Sequence, residues 1–85
     1  MQCSATIGFF GSLGDRIGRS IVVDVPPEGC TIAQLRTRFA GLHPAAAAEL
    51  MRTATRACAD DRIVGEDHLV RAGDKIEFLP PLSGG

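Results

Sequence analysis

Apolar and polar residues alternate from the start of the chain. Cys3, Ala5, Ile7 and Phe9 fall on one face and Gln2, Ser4, Thr6 and Gly8 on the other, the period of two that marks a strand half-buried on a core. Phe10 breaks the alternation by standing on the polar side. The glycine-rich stretch from Gly11 to Gly18 reads as a turn, and a second, β-branched strand follows with Ile21, Val23 and Val25 inward, closed by Pro26-Pro27-Glu28-Gly29. The short connection predicts an antiparallel hairpin. The period then changes. Thr31-Ile32-Ala33-Gln34 fits a capping box, in which threonine and glutamine side chains take up free N–H groups at a helix start. Ile32, Leu35, Phe39 and Leu42 recur as one stripe, with Arg36, Thr37 and Arg38 expected to face water. His43-Pro44 stops this helix, and Pro44 opens a second helical piece from Ala45 to Met51.

The second half is punctuated by turns. Thr53 to Ala59 is a weak strand, Asp60-Asp61 a turn, Arg62-Ile63-Val64 a brief strand, Glu66 to Val70 a loop or helical turn, and Arg71 to Asp74 another turn. Lys75 to Leu79 is the last strand, with Ile76 and Phe78 inward and Leu79 outward. The order predicts an α+β roll, a mixed sheet wrapped on one main helix: a β-grasp layout. It places the first and last strands side by side, so Phe10 and Leu79 form one exposed apolar patch on the outer face, the mark of a protein partner. Residues 1–80 form the domain and 81–85 a flexible tail.

Composition narrows the function. The chain has 85 residues, enough for one modest core and not for a cleft between two domains. With 9 basic against 10 acidic residues, and four Phe without Trp or Tyr, it offers neither net attraction for a phosphate backbone nor a stacking platform, so no nucleic acid is expected. No apolar run approaches the ~18 residues of a membrane span, and Met1-Gln2-Cys3-Ser4 lacks a basic leader region, so no membrane partner and a cytoplasmic location are expected. The three cysteines are far apart, His43 and His68 lack ligand spacing, and no metal site is expected. The glycines at 8, 11, 14 and 18 match no phosphate-loop spacing. Asp60-Asp61 and Glu66-Asp67 read as solvated acids. Nothing here forms an active site on its own.

The end of the chain is different. In Phe78-Leu79-Pro80-Pro81-Leu82-Ser83-Gly84-Gly85 the prolines cannot donate ladder hydrogen bonds and turn the chain out of the sheet as a stiff arm. That arm reaches roughly 18–20 Å at about 3.3 Å per residue. Without Cβ atoms on Gly84 and Gly85, the terminal carboxylate fits a narrow channel. A domain with its reactive group held outside the core is built as a covalent carrier.

These residues resemble the MoaD/ThiS family of ubiquitin-like sulfur carriers along essentially the whole chain. The anchors are Ile7-Gly8-Phe9-Phe10-Gly11, Thr31-Ile32-Ala33-Gln34-Leu35-Arg36, Ala72-Gly73-Asp74-Lys75-Ile76-Glu77-Phe78 and the Leu79-Pro80-Pro81-Leu82-Ser83-Gly84-Gly85 ending. The ending is most similar to that of the molybdopterin synthase small subunit. Asp60 stands where the family often has asparagine, and Gly14 where it often has arginine. The resemblance implies that Gly85, with Gly84 before it, is adenylated by an E1-like (MoeB-like) partner using ATP and Mg²⁺, with no cofactor bound by this chain. A persulfide donor then supplies sulfur, and the thiocarboxylate passes it to a pterin precursor in a large (MoaE-like) subunit, with a two-plus-two heterotetramer as the expected assembly. The chain is not expected to be catalytic alone. Phe10, Leu79, Pro80, Pro81, Leu82 and Ser83 are the expected partner contacts. A carrier for cysteine, thiamine or a thio-natural product, and a ubiquitin-like modifier, are the alternatives.

Overall fold

The computed structural model describes residues 3–80. Strand β1 (Ser4–Phe9), helix α1 (Ser12–Ile17) and strand β2 (Ser20–Asp24) come first; then β3 (Cys30–Thr31), helix α2 (Ile32–Leu42), a 3₁₀ turn (Pro44–Ala46) and helix α3 (Ala47–Leu50); then β4 (Arg56–Ala59), β5 (Arg62–Val64), β6 (Leu69–Val70) and β7 (Lys75–Leu79). The main sheet runs β2-β1-β7-β4-β5, with β3 and β6 as a separate two-stranded ribbon. Among the described residues only β1 and β7 pair in parallel, in the register Ile7↔Ile76 and Phe9↔Phe78; the remaining pairs are antiparallel, including the β1–β2 hairpin. The first and last strands are therefore the adjacent centre of the sheet, as the element order implies, and α2 packs across one face.

The alternation in β1 and β7 buries Ala5, Ile7, Phe9, Ile76 and Phe78 on the helix side, where Ile32, Leu35 and Phe39 of α2 meet them. The Phe9 ring meets Phe39 edge-on with centroids 5.1 Å apart and stacks on Phe78 at 5.6 Å, both favourable arrangements of aromatic quadrupoles. The capping box is formed: Gln34 N donates to Thr31 Oγ1 at 3.1 Å and Thr31 N to Gln34 Oε1 at 2.8 Å. Asp60 and Asp61 make the tight β4–β5 turn, both at positive φ, a conformation that short polar side chains tolerate.

Several expectations are corrected. Residues 12–17 are helical, not a turn: Leu13 and Ile17, four apart, lie on one face, and Leu13 is buried. Leu42 is 61% exposed because the last turn of α2 runs past the core, and Ala46 and Leu50 fill the space beneath. Leu69–Val70 is a short strand, paired antiparallel with Cys30–Thr31.

The largest correction is Arg36, only 5% exposed where a water-facing residue was expected. One helical turn after Ile32, it lies on the buried face of α2. Its Nε and Nη2 donate to the two oxygens of Glu66 at 3.0 and 2.7 Å, and Nη1 donates to the carbonyls of Leu50 and Arg52. The guanidinium also sits 5.4 Å from the centroid of Phe78. Glu66 is thus an ion-pair partner and not a free solvated acid. All three nitrogens of the buried guanidinium donate, as burying such a charge requires.

Removing the threonine cap is expected to cost about 1 kcal/mol. In calorimetry, Thr31→Ala should lower Tm by about 4–8 °C for a domain of this size.

Candidate functional site

The site is assembled where β7 ends. Phe10 follows β1 directly and its N–H donates to the carbonyl of Phe78 at 3.1 Å, so the β1–β7 ladder carries on to the rim and sets Phe10 beside Leu79. Phe10 is 46% exposed, Leu79 is half-buried, and Arg56 of β4 is the cross-strand partner of Leu79 on its other side. The expected apolar pair is therefore brought together, extended sideways by a cation. In the next row of the outer face stand Gly8, Glu77 and Cys58, with exposed Ile63 opposite Cys58.

Two glycines make this corner. Gly11 has φ +65°, where a side chain is strained, and a Cβ there would come within 3.0 Å of Pro80 Cγ. Pro80, half-buried, thus packs over Gly11 as the chain leaves the sheet. Gly14 lets α1 approach β1 closely: a Cβ on it would lie 2.7 Å from the Phe9 carbonyl oxygen. Helix α1 is held from its far side by Ser12 Oγ donating to Glu49 at 2.6 Å, Arg16 donating to the Ala45 carbonyl at 3.1 Å, and a longer Arg16–Glu49 ion pair. A concavity of about 430 Å³ lies beside it, lined by Phe9, Phe10, Gly11, Gly14, Asp15 and Arg19.

Of the other expected site residues, Pro81, Leu82, Ser83, Gly84 and Gly85 lie outside the described residues. His43 caps α2, its backbone N–H donating to the Phe39 carbonyl, and its ring stacks on Phe39 at 6.4 Å. Cys30 belongs to the core; burial raises its pKa, with Arg38 drawing it partly back, so it is a protonated thiol at neutral pH. Among the described residues no group of three or more His, Cys, Asp or Glu could hold a metal ion, and no helix is long and apolar enough to cross a membrane.

Sequence reasoning missed α1 and the basic flank of the apolar pair. The Leu13–Ile17 spacing between Gly11 and Gly18 signals the helix. The flank required knowing that β4 lies beside β7 with Arg56 opposite Leu79.

A five-stranded mixed sheet with parallel terminal strands at its centre, packed on one main helix, defines a ubiquitin-like β-grasp domain. Solved structures share it. SAMP1 from Haloferax volcanii superposes with a TM-score of 0.80 at 24% identity, over 96% of this chain and 99% of that chain. Urm1 from Trypanosoma brucei gives 0.63 at 20% identity, over 96% and 95%. A chain of the complex of subunits 1 and 2 of molybdopterin-converting factor from Helicobacter pylori gives 0.61 at 18%, over 96% and 99%. At these identities the likeness establishes the fold. No curated protein matches the sequence significantly. Residues 7–85 match the ThiS family, and the chain belongs to that family of ubiquitin-like sulfur carriers.

The Gly14 contact yields a stability test. A methyl group at Gly14 must push Phe9 and α1 apart, an overpacking cost of about 1–3 kcal/mol that exceeds the gain in helix propensity. Gly14→Ala should therefore lower the urea midpoint. An unchanged or raised midpoint would show that α1 can move away freely.

Proposed function

We propose that the chain is the sulfur-carrying subunit of molybdopterin synthase, with the Gly85 carboxylate as the group that is charged and Gly84 as the side-chain-free link behind it. The observation that carries this reading is the placing of Pro80 at the rim of the central β1–β7 pair, against Gly11 and beside Phe10, followed by a Pro81-Leu82-Ser83-Gly84-Gly85 sequence that the family match spans to residue 85. The reading is also supported by the Helicobacter pylori complex, in which a chain of this fold occurs together with a second subunit.

A carboxylate is ionised at neutral pH and a poor electrophile. In the proposed sequence an E1-like partner transfers AMP from ATP to Gly85, releasing pyrophosphate, with Mg²⁺ balancing the phosphate charge. The terminal sulfur of a persulfide attacks the acyl carbon and AMP leaves. A thiol then cleaves the sulfur–sulfur bond, leaving the Gly85 thiocarboxylate and a disulfide on the donor side. The tail delivers this sulfur to a pterin precursor in a large subunit, through an assembly of two chains of each kind. Phe10, Leu79 and Pro80 act as docking contacts at the base of the tail, and Pro81, Leu82 and Ser83 line its path into the partner. This chain supplies the reactive end and its positioning, and the enclosed chemistry belongs to the partner.

Incubation with ATP, Mg²⁺, the source organism's adenylating enzyme and a cysteine desulfurase should shift the intact mass by the replacement of one oxygen with sulfur. Deleting Gly85 should abolish the shift. Purified large subunit and cyclic pterin precursor should then yield molybdopterin. An unchanged mass under conditions that charge a control carrier overturns the reading. Charging without molybdopterin formation assigns the sulfur to another acceptor, such as a thiamine, cysteine or natural-product pathway. Isopeptide conjugates to lysines in place of a thiocarboxylate assign a modifier role.

A further inference from the structure

Beside the apolar pair lies a second concavity, of about 400 Å³, at the start of β4. Arg36, Arg52, Thr53, Arg56 and Glu66 contribute to its lining. The Arg36–Glu66 pair is internally neutral, with both carboxylate oxygens and all three guanidinium nitrogens engaged. Arg52 and Arg56 are different. Both are exposed, and neither side chain makes a hydrogen bond or ion pair with another described residue. A chain whose net charge is −1 thus gathers in one hollow two positive charges unpaired among the described residues, where low-dielectric walls concentrate the field.

The backbone under these arginines is held. Arg52 N donates to the Glu49 carbonyl at 3.3 Å, and the Arg52 carbonyl accepts from Thr55 N at 3.1 Å and from Arg36 Nη1 at 3.3 Å. Arg56 is fixed by its strand pairing with Leu79. Among the described residues the charges are therefore unpaired at their tips and anchored at their roots. Arg56 also stands opposite Leu79, one strand across from Phe10, so a protein that covers the apolar pair comes close to Arg56.

We propose that this basic hollow receives a carboxylate-bearing segment of the protein that takes up the C-terminal tail, acting as a charge key beside the apolar contact. The identification of that partner rests on the carrier reading; the chemistry of the hollow does not. Guanidinium forks match carboxylates in two-point hydrogen bonds, which give register as well as attraction. A nucleotide fits less well: Met51, Ala57 and Val64 provide the apolar lining and no aromatic ring stacks there, so a base finds no platform. Charge of this kind acts mainly on encounter rate and partner choice.

The test is a titration of the ¹⁵N-labelled full chain with the peptide acetyl-Asp-Leu-Glu-Asp-Leu-amide, its Asn/Gln counterpart, and ATP. The acidic peptide should shift the amides of Arg52, Thr53, Arg56 and Leu79, and the neutral one should not. Arg52→Gln/Arg56→Gln should weaken binding by about tenfold, as should raising ionic strength from about 0.02 to about 0.3 M. Equal shifts with both peptides, or none at this corner, overturn the proposal. Stronger shifts with ATP than with the acidic peptide reassign the hollow to phosphate. Because the titration needs neither adenylating enzyme nor sulfur, acid-selective binding with an unchanged mass after charging removes only the carrier reading. A charged tail with no acid-selective binding removes only the hollow.

Discussion

The parallel pairing of β1 with β7 is the constraint on which the rest of the molecule depends. It joins the beginning and the end of the chain at the centre of the sheet, locked from below by Phe9 stacked on Phe78 with Phe39 of α2 edge-on to Phe9. Parallel strands require a long crossover, and here almost the whole domain serves as that crossover. Its reward is local: residues 10 and 79, distant in sequence, become rim neighbours, and the chain after Leu79 starts from the central strand pair. Contacts between residues so far apart in sequence are entropically costly to form, which explains why the stack is aromatic and fully buried.

Much of this was legible because period and capping are local signals. Alternation located β1, β2 and β7, the capping box fixed the start of α2, and paired aspartates marked the β4–β5 turn. The failures share one physical origin. Arg36 could not be assigned to the interior without knowing that the Leu50 and Arg52 carbonyls and the Glu66 carboxylate converge on it from elsewhere in the chain. Leu42 has the right spacing for the core stripe, but the core ends before it does. Helix α1 is too short to show a full period, and its four-residue spacing was outweighed by the glycines that bracket it. The adjacency of Phe10 and Leu79 followed from topology alone. The basic flank did not, because it depends on cross-strand register, which sequence alone leaves undetermined.

Arg36 connects the packing to the surface chemistry. By binding the Leu50 and Arg52 carbonyls it fixes the segment between α3 and β4, and it engages both oxygens of Glu66, the acid that shares the hollow with Arg52 and Arg56. A buried ion pair of this kind is weak evidence for stability in itself, since desolvation offsets much of its attraction. Its contribution here is geometric and electrostatic: it anchors the backbone that carries Arg52 and ties up the Glu66 carboxylate in the same hollow.

If, as proposed, the carrier is recognised by successive partners, it faces a conflict between affinity and release. A large apolar patch would bind each partner tightly and slow its departure, because affinity among related complexes is adjusted mostly through dissociation rates. The rim described here offers a small apolar contact, Phe10 with a half-buried Leu79, flanked by exposed charge. Charges at a rim accelerate productive encounter and penalise partners of like sign while adding little to the lifetime of the complex. Behind the apolar pair the outer face carries Gly8, Glu77 and Cys58, with exposed Ile63 at the end of that row. On the proposed carrier reading, such a rim serves discrimination on arrival, and the hold on the partner is left to the tail.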